Sequence, residues 1–380
     1  MKQDTLVLIV GAGPAGLATS ACLNLESIPN IVLEKEDCCA SLWKKRAYDR
    51  LKLHLAKEYC ELPNMPFPPG TPTFVPKHDF IQYLDDYISH YNVAPLHHRR
   101  VESASFDGKW TVVAKNMLLD RSEEYVTTFL VVATGENGEG FVPWIRGLDS
   151  FSGDVMHSSD YRNGKKYVDR NVLVVGSGNS GMELALDLWN WGAHASIVAR
   201  SPVHILSEKM VQVGMVLLKY VPLNVVDNIV VMLSKLKYGN LSNYGIQRPD
   251  KGPFYLKMAT GRSPVIDVGT VEKIRSRDIM VFPSIERVDG NHVHFADGST
   301  KTFESMVFAT GYKCTVSKWL KDGGAKFGEN GMPELRSPHH WKGRKGIYFA
   351  GFSRSGVFGI SKDAKAIAND INNALLNMKI

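Results

Sequence analysis

Two short runs in this chain have the residue types and spacing to hold a phosphorylated ligand: Gly11-Ala12-Gly13-Pro14-Ala15-Gly16 and Gly176-Ser177-Gly178-Asn179-Ser180-Gly181. Both read G-x-G-x-x-G. In such a turn the first glycine permits a tight reversal, and the second lets backbone approach a pyrophosphate. The third allows the following helix to pack closely on the preceding strand. Unpaired amides at the helix start then face the diphosphate. The pattern alone is weak, but here each copy follows a strand-like run (Leu6–Val10, Val172–Val175) and opens a helix-forming segment. A glycine turn without a ligand is the bland alternative.

The two copies part company at the end of the next strand. The first reaches Ile31-Val32-Leu33-Glu34, with Lys35 beside it. A carboxylate there accepts hydrogen bonds from an unphosphorylated ribose, as the adenosine of FAD or NAD requires. The second reaches Ile197-Val198-Ala199-Arg200-Ser201. An acid would repel a 2′-phosphate, whereas a guanidinium and a hydroxyl would hold one, so this site suits NADPH. A chain with both sites is most simply a flavoprotein whose flavin is reduced by NADPH.

Other reactive side chains are less organised. Five cysteines, Cys22, Cys38, Cys39, Cys60 and Cys314, form no C-x-x-C pair, which argues for a reducing compartment without a disulfide framework or zinc site. Adjacent Cys38 and Cys39 match neither usual redox spacing, which weighs against a flavoprotein disulfide reductase. His339 and His340 are neighbours rather than i,i+4 partners, and no metal is expected. Ser353 lacks the second glycine of a nucleophile elbow.

The elements that must carry these groups follow from periodicity. Each glycine run sits in a strand–helix–strand unit, ending at Asn30–Leu33 and Ala195–Val198. The fold class expected is therefore α/β: two doubly wound, Rossmann-like dinucleotide domains. Between them Pro63–Pro76 reads as an extended loop, and Phe80–Tyr91 as a helix with Phe80, Tyr83, Leu84, Tyr87 and Ile88 on one face. Trp110–Val113 and Tyr125–Val132 read as strands. His204–Lys237 has helical spacing, short strands return over Ile285–Phe308, and Lys362–Met378 closes as a helix. The NADPH domain is expected as an insertion into the FAD domain, with boundaries 1–160, 161–280 and 281–380. Ala133-Thr134-Gly135 and Thr310-Gly311-Tyr312 each end a strand-like run, where glycine admits a nucleotide or a crossing chain; simple strand termination fits as well.

The bulk properties narrow the partners. Its 380 residues allow two domains, and a formal charge of +6 is not concentrated in any run. The cluster His97-His98-Arg99-Arg100 is too short for a nucleic-acid footprint and reads as solvated surface. The longest apolar stretches, such as Val211–Leu218, fall short of a membrane span. A strand-like run beginning at Leu6 leaves no room for a signal peptide, so a cytoplasmic location is expected. A homodimer stays open.

The junction before the second unit reads Phe151-x-Gly153-x-x-x-His157-x-x-x-Tyr161. This is similar to the F-x-G-x-x-x-H-x-x-x-Y fingerprint of class B flavin-containing monooxygenases, in the form of the N- or S-oxygenating branch. The bland reading makes Phe151 and Tyr161 core aromatics and His157 a hydrogen-bonded interdomain residue. Further runs narrow the resemblance: Ser41–Arg46, Tyr48–Leu55, Ala133–Asn137, Val198–His204 and Phe308–Tyr312 resemble the plant YUCCA flavin monooxygenases over nearly the whole chain. The resemblance implies FAD- and NADPH-dependent oxidative decarboxylation of indole-3-pyruvate with O2, giving the auxin indole-3-acetate through a C4a-(hydro)peroxyflavin. It also implies that Ser41, Leu42 and Trp43 line the isoalloxazine. Related flavoproteins often end their C-terminal flavin strand in Gly-Asp, whereas Phe352 follows Gly351 here. His54 falls where the wider family often has a catalytic asparagine. His54 is accordingly expected as a polar neighbour of the flavin, and Lys57 as a cation for the substrate carboxylate; support of the loop is the alternative for both. General N- or S-oxygenation is the other enzymatic reading, and a redox-binding scaffold the non-catalytic one.

Overall fold

The computed structural model describes residues 2–321, 326–334 and 339–378. The chain forms two compact units. The first comprises residues 1–46, 56–139 and 312–380, and the second residues 47–55 and 140–311.

In the first unit, β1 (Lys2–Val10) lies parallel to β2 (Asn30–Leu33) and to the long β5 (Arg121–Val132). β3 (Arg99–Asp107) and β4 (Lys109–Asn116) run antiparallel onto the first half of β5. β18 (Ile347–Phe349) takes the same edge of β5 further along, in parallel, at Leu130–Val132. Val7 to Val10 are buried in succession, as expected of a strand covered on both faces. Helix α1 (Pro14–Leu25) starts on Gly13 with a proline in its first turn, where the missing N–H costs nothing. It is buried from Ala15 to Leu23 and packs against α10 (Gly356–Met378).

Helix α2 (Ser41–Lys45) follows β2, and α3 (Lys77–His90) buries Phe80, Tyr83, Leu84 and Tyr87. The tyrosines of α3 also fasten the proline-rich loop. Tyr83 Oη accepts from Leu62 N at 2.8 Å and donates to the Met65 carbonyl at 2.7 Å. Tyr87 Oη donates to the Pro63 carbonyl at 3.1 Å. A loop whose prolines cannot join a ladder obtains its order from side chains instead.

The second unit is built on an all-parallel sheet. β7 (Asp154–His157), β8 (Asn171–Val175), β9 (His194–Val198), β12 (Met280–Phe282) and β16 (Ser305–Phe308) stand in the order β12-β9-β8-β16-β7. Helix α4 (Asn179–Asn190) opens from the second glycine turn. Two short parallel strands, β10 (Ile205–Leu206) and β11 (Val265–Ile266), and an antiparallel meander, β13 (Ile285–Asp289), β14 (His292–Phe295) and β15 (Thr300–Thr302), complete it. Two further short strands, β6 (Glu139–Gly140) and β17 (Tyr312–Lys313), mark where the chain passes between units.

The architecture is the expected pair of doubly wound domains, one interrupting the other, but the divisions fall elsewhere than at 160 and 281. Residues 281–311 belong with the second unit because β16 enters its sheet between β8 and β7. A parallel strand draws its partners from far along the chain, so the strand run alone did not reveal which sheet owned it. The stretch Ala47–Leu55 likewise leaves the first unit for the second. His204–Lys237 is not one helix: β10 precedes α5 (Glu208–Leu217), and Pro222 separates α5 from α6 (Leu223–Tyr238).

Candidate functional site

The glycines of the two turns divide into those the protein itself requires and those it does not. Gly11 has φ +105°, and a Cβ there would lie 2.7 Å from the Ala133 carbonyl oxygen. At Gly16 a Cβ would lie 1.9 Å from the Gly11 oxygen. Helix and strand could not approach as they do with any other residue. Gly13 has ordinary extended backbone with φ −75°, and a Cβ there would meet nothing within 4 Å. The second turn repeats this arrangement. Gly176 has φ +120° and would clash with Ala309 O at 2.6 Å; Gly181 would clash with Gly176 O at 1.9 Å; Gly178 faces open space. Nothing inside the fold demands glycine at positions 13 and 178. A ligand pressed against the backbone would.

Around the first turn lies a cleft of about 640 Å³. Gly11, Gly13, Pro14 and Ala15 form one side of it, and Glu34 and Lys35 close its end. Ser41, Leu42 and Trp43 face it from α2, and Ala133, Thr134 and Gly135 from the end of β5. Gly16 acts behind this surface, as the contact between helix and strand. The Glu34 carboxylate is buried and accepts from Ala12 N at 2.7 Å and Glu36 N at 2.9 Å, which locks the end of β2 to the glycine turn. Ala40 starts α2 in a left-handed conformation and donates to the Ala12 carbonyl at 2.9 Å, so α2 is tied to the same turn. Trp43 is held edge-on against Phe80 at 4.6 Å.

Thr134 Oγ1 is buried within this lining and has no hydrogen-bond partner. An unpaired buried hydroxyl beside a glycine turn with an open Cβ direction fits a polar nucleotide such as a flavin dinucleotide. Three arginines also reach the cleft: Arg46, paired with Glu36 at 3.0 Å, Arg99, paired with Glu123 at 3.2 Å, and Arg100, paired with Glu102 at 3.2 Å. Arg99 and Arg100, read from sequence as solvated surface, start β3 and line this cleft.

In the second unit the expected residues take mixed roles. Ser177 and Gly178 lie at the turn, and Arg200 is exposed just past β9, next to Ser201. Asn179 is a structural peg: its Oδ1 accepts from Ile266 N at 2.7 Å and its Nδ2 donates to the Pro264 carbonyl at 3.1 Å. Thr310 Oγ1 donates to the Phe141 carbonyl, and the Gly311 carbonyl accepts from Phe141 N at 2.9 Å. Those two residues therefore hold a crossing chain, and Tyr312 begins β17 of the first unit.

The junction residues are structural as well. Phe151 and Tyr161 are buried, and a Cβ at Gly153 would lie 2.2 Å from Glu304 O. His157 is buried, with Nε2 2.9 Å from the Gly311 carbonyl and Nδ1 3.0 Å from Ser159 Oγ. Burial holds its pKa below the ordinary value of 6.5.

His54 and Lys57 fall in different units. His54 Nε2 lies 2.6 Å from Glu183 Oε1 on α4, and Tyr48 Oη donates to Glu183 Oε2 at 3.0 Å. Glu183 is 3% exposed and is the residue that sequence reasoning missed. Lys57 Nζ donates to the Thr71 carbonyl at 2.7 Å. Among the described residues no group of three or more His, Cys, Asp or Glu converges as a metal site.

Two glycine cradles in one chain, one opening on a cleft with a buried acid at its end and one followed by an arginine, define a flavoprotein with a second dinucleotide site. The profile of the Flavin-binding monooxygenase-like family matches residues 4–328. The "Probable indole-3-pyruvate monooxygenase YUCCA10" of Arabidopsis thaliana is 51% identical over 99% of this chain and 100% of its own length. "Indole-3-pyruvate monooxygenase YUCCA6" of the same plant is 44% identical over 96% of this chain and 89% of its own. The chain belongs to the flavin-binding monooxygenase-like family, in its YUCCA branch, and is an NADPH-dependent flavin monooxygenase.

Among solved structures, an oxidized steroid monooxygenase bound to NADP superposes with a TM-score of 0.79 at 15% identity, over 99% of this chain and 86% of that one. A flavin-containing monooxygenase from Stenotrophomonas maltophilia superposes at 0.74 with 19% identity, over 98% and 99%. These likenesses establish the fold. A bacillithiol disulfide reductase from Staphylococcus aureus shares it too, at 0.70 and 17% over 98% and 99%. Fold therefore does not choose the reaction.

Proposed function

We propose that this enzyme uses FAD and NADPH to convert indole-3-pyruvate into indole-3-acetate, a step of auxin biosynthesis. The observation that carries the reading is the 42–51% identity, over nearly the whole chain, to proteins named as indole-3-pyruvate monooxygenases. Overall, one 2-oxo acid, one O2, one NADPH and one proton would give the shortened acid, CO2, water and NADP+. The flavin, when bound, supplies two-electron redox chemistry linking NADPH to O2.

The chain's own residues have separable tasks. Gly11, Gly13, Pro14 and Ala15 would take the FAD diphosphate at the start of α1, and Glu34 the adenosine ribose. Thr134 Oγ1 would find in the flavin nucleotide the partner it lacks in the protein. Trp43, fixed by Phe80, would exclude water along one wall. Gly176, Gly178 and the first amides of α4 would hold the NADPH diphosphate, and Arg200 with Ser201 its 2′-phosphate. His54, oriented by a buried carboxylate, would hold or move a proton at its imidazole. Lys57 stands as the carboxylate cation only if it exchanges its bond to Thr71 for the substrate.

The test is aerobic turnover of the purified yellow protein with indole-3-pyruvate, phenylpyruvate and a simple tertiary amine, products identified by mass. Indole-3-acetate formed in step with NADPH consumption supports the reading. Oxygenation of the amine alone would replace it with general N-oxygenation.

A further inference from the structure

The stretch Ala47–Leu55 carries three polar side chains of interest, and two have partners on α4. Tyr48 and His54 both end on Glu183, at 3.0 and 2.6 Å. The third, Arg50, has a buried Nη1 with no hydrogen-bond partner.

The acids of this region are committed elsewhere. Glu183 serves Tyr48 and His54, and one helical turn further Asp187 accepts from Tyr161 Oη at 2.6 Å and Gly164 N at 3.1 Å. Asp49 turns towards the residues after the fingerprint: its amide donates to the Arg162 carbonyl at 2.9 Å, and its Oδ2 accepts from Asn163 Nδ2 at 2.8 Å. Yet the Arg50 charge is close enough to act on both phenols. Burial first, then Glu183 and Asp187, raise Tyr48 and Tyr161, while the guanidinium opposes the rise.

Buried N–H groups are rarely left unpaired in native proteins, and an unpaired guanidinium N–H marks where an acceptor belongs. A fixed charge on a planar fork selects carboxylate or phosphate. Tyr48 meets α4 at Glu183, in the helix that opens from Gly176–Gly181, and Arg50 follows two residues along the same segment.

We infer that Arg50 is an anion-binding residue of the second unit, taking an oxygen from a phosphate of NADPH or from the carboxylate of a 2-oxo acid substrate. The carboxylate source rests on the proposed substrate; the phosphate source does not.

The test uses the flavin-loaded full chain and the variants R50M and R50K. Calorimetry gives the Kd for NADP+, and equilibrium dialysis gives the Kd for indole-3-pyruvate and indole-3-acetate without requiring turnover. R50M is expected to weaken one class of ligand by roughly tenfold or more, as loss of a charge-assisted hydrogen bond implies. R50K is expected to recover only part, since an ammonium is no fork. The ligand that responds identifies the source. Both affinities within about twofold of the parent overturn the inference. A lowered melting temperature with unchanged affinities does so too, because it assigns Arg50 to neutralising the buried acids of α4. Should R50M lose its flavin, R50K decides alone: it keeps the charge but not the fork, and unchanged affinities overturn the site. If the parent oxidises no 2-oxo acid while R50M still weakens NADP+, the substrate reading falls and the anion site stands.

Discussion

At the scale of single residues, the glycine turns separate folding from binding. A methyl at Gly16 or Gly181 would sit 1.9 Å from a backbone oxygen, and overpacking of that kind costs about 1–3 kcal/mol or more. A methyl at Gly13 or Gly178 meets no protein atom within 4 Å. Gly178→Ala should therefore melt within a few degrees of the parent yet bind NADP+ at least about tenfold more weakly, whereas Gly181→Ala should melt well below the parent. Thermal melts and calorimetry on both variants check this, and equal loss of stability would contradict it. For Arg200→Ala, loss of a charge-assisted contact to the 2′-phosphate should lower the NADPH-over-NADH ratio of kcat/KM by roughly tenfold or more. An unchanged ratio would remove Arg200 from that role. The two glycine turns were legible in the sequence because turn chemistry is local. Glu183 was not: its partners Tyr48 and His54 lie 135 and 129 positions away. Nothing in α4 itself distinguishes a buried acid from a surface one.

At the scale of elements, side chains from one segment complete the ends of another. Asp227 on α6 accepts from Phe254 N at 2.8 Å and Tyr255 N at 3.0 Å, capping α7 (Pro253–Thr260) from outside its own chain stretch. A Cβ at Gly252 would lie 2.2 Å from that carboxylate, which explains the glycine before the helix. Asp227→Ala should cost about 1–2 kcal/mol, the usual loss for a helix N-terminal cap. Amides of α7 should exchange faster, which hydrogen exchange would resolve. The junction strand β7 adds a pH dependence through His157. Its folded pKa is lowered by burial, so the unfolded chain takes up the proton first. That part of the stability is present above about pH 6.5 and is lost as pH falls from there towards the folded pKa; His204, also lowered mainly by burial, acts in the same direction. Denaturant unfolding between about pH 7.5 and 5.5 should show a shallower decline in His157→Gln than in the parent. Element types were readable from periodicity; what escaped was the break in His204–Lys237, although Pro222 stood in the sequence to signal it.

At the scale of the molecule, the duplicated architecture was readable, because two strand–turn–helix units with opposite chemistry at their ends recur in one chain. Ownership of the connecting segments was not, because β16 finds its neighbours β7 and β8 across long intervals of sequence. None of the described helices is long and apolar enough to cross a membrane. A ligand that binds one unit should stabilise that unit by mass action, about 2.7 kcal/mol at a hundredfold excess over Kd. Saturating NADP+ should therefore slow amide exchange in residues 140–311 and also in residues 47–55, although the sequence on both sides of the shorter stretch belongs to the first unit. Protection that skipped residues 47–55 would contradict the division.

That division has a practical corollary for recombining these enzymes. The second unit, proposed to take NADPH, is not a contiguous cassette: residues 47–55 belong to it although the chain on either side of them belongs to the first unit. A chimera that exchanges only 140–311 between two relatives would set one parent's Tyr48 and His54 against the other's α4, leaving an interior carboxylate facing unfamiliar partners. Successful swaps of coenzyme preference should be those that transplant both stretches together.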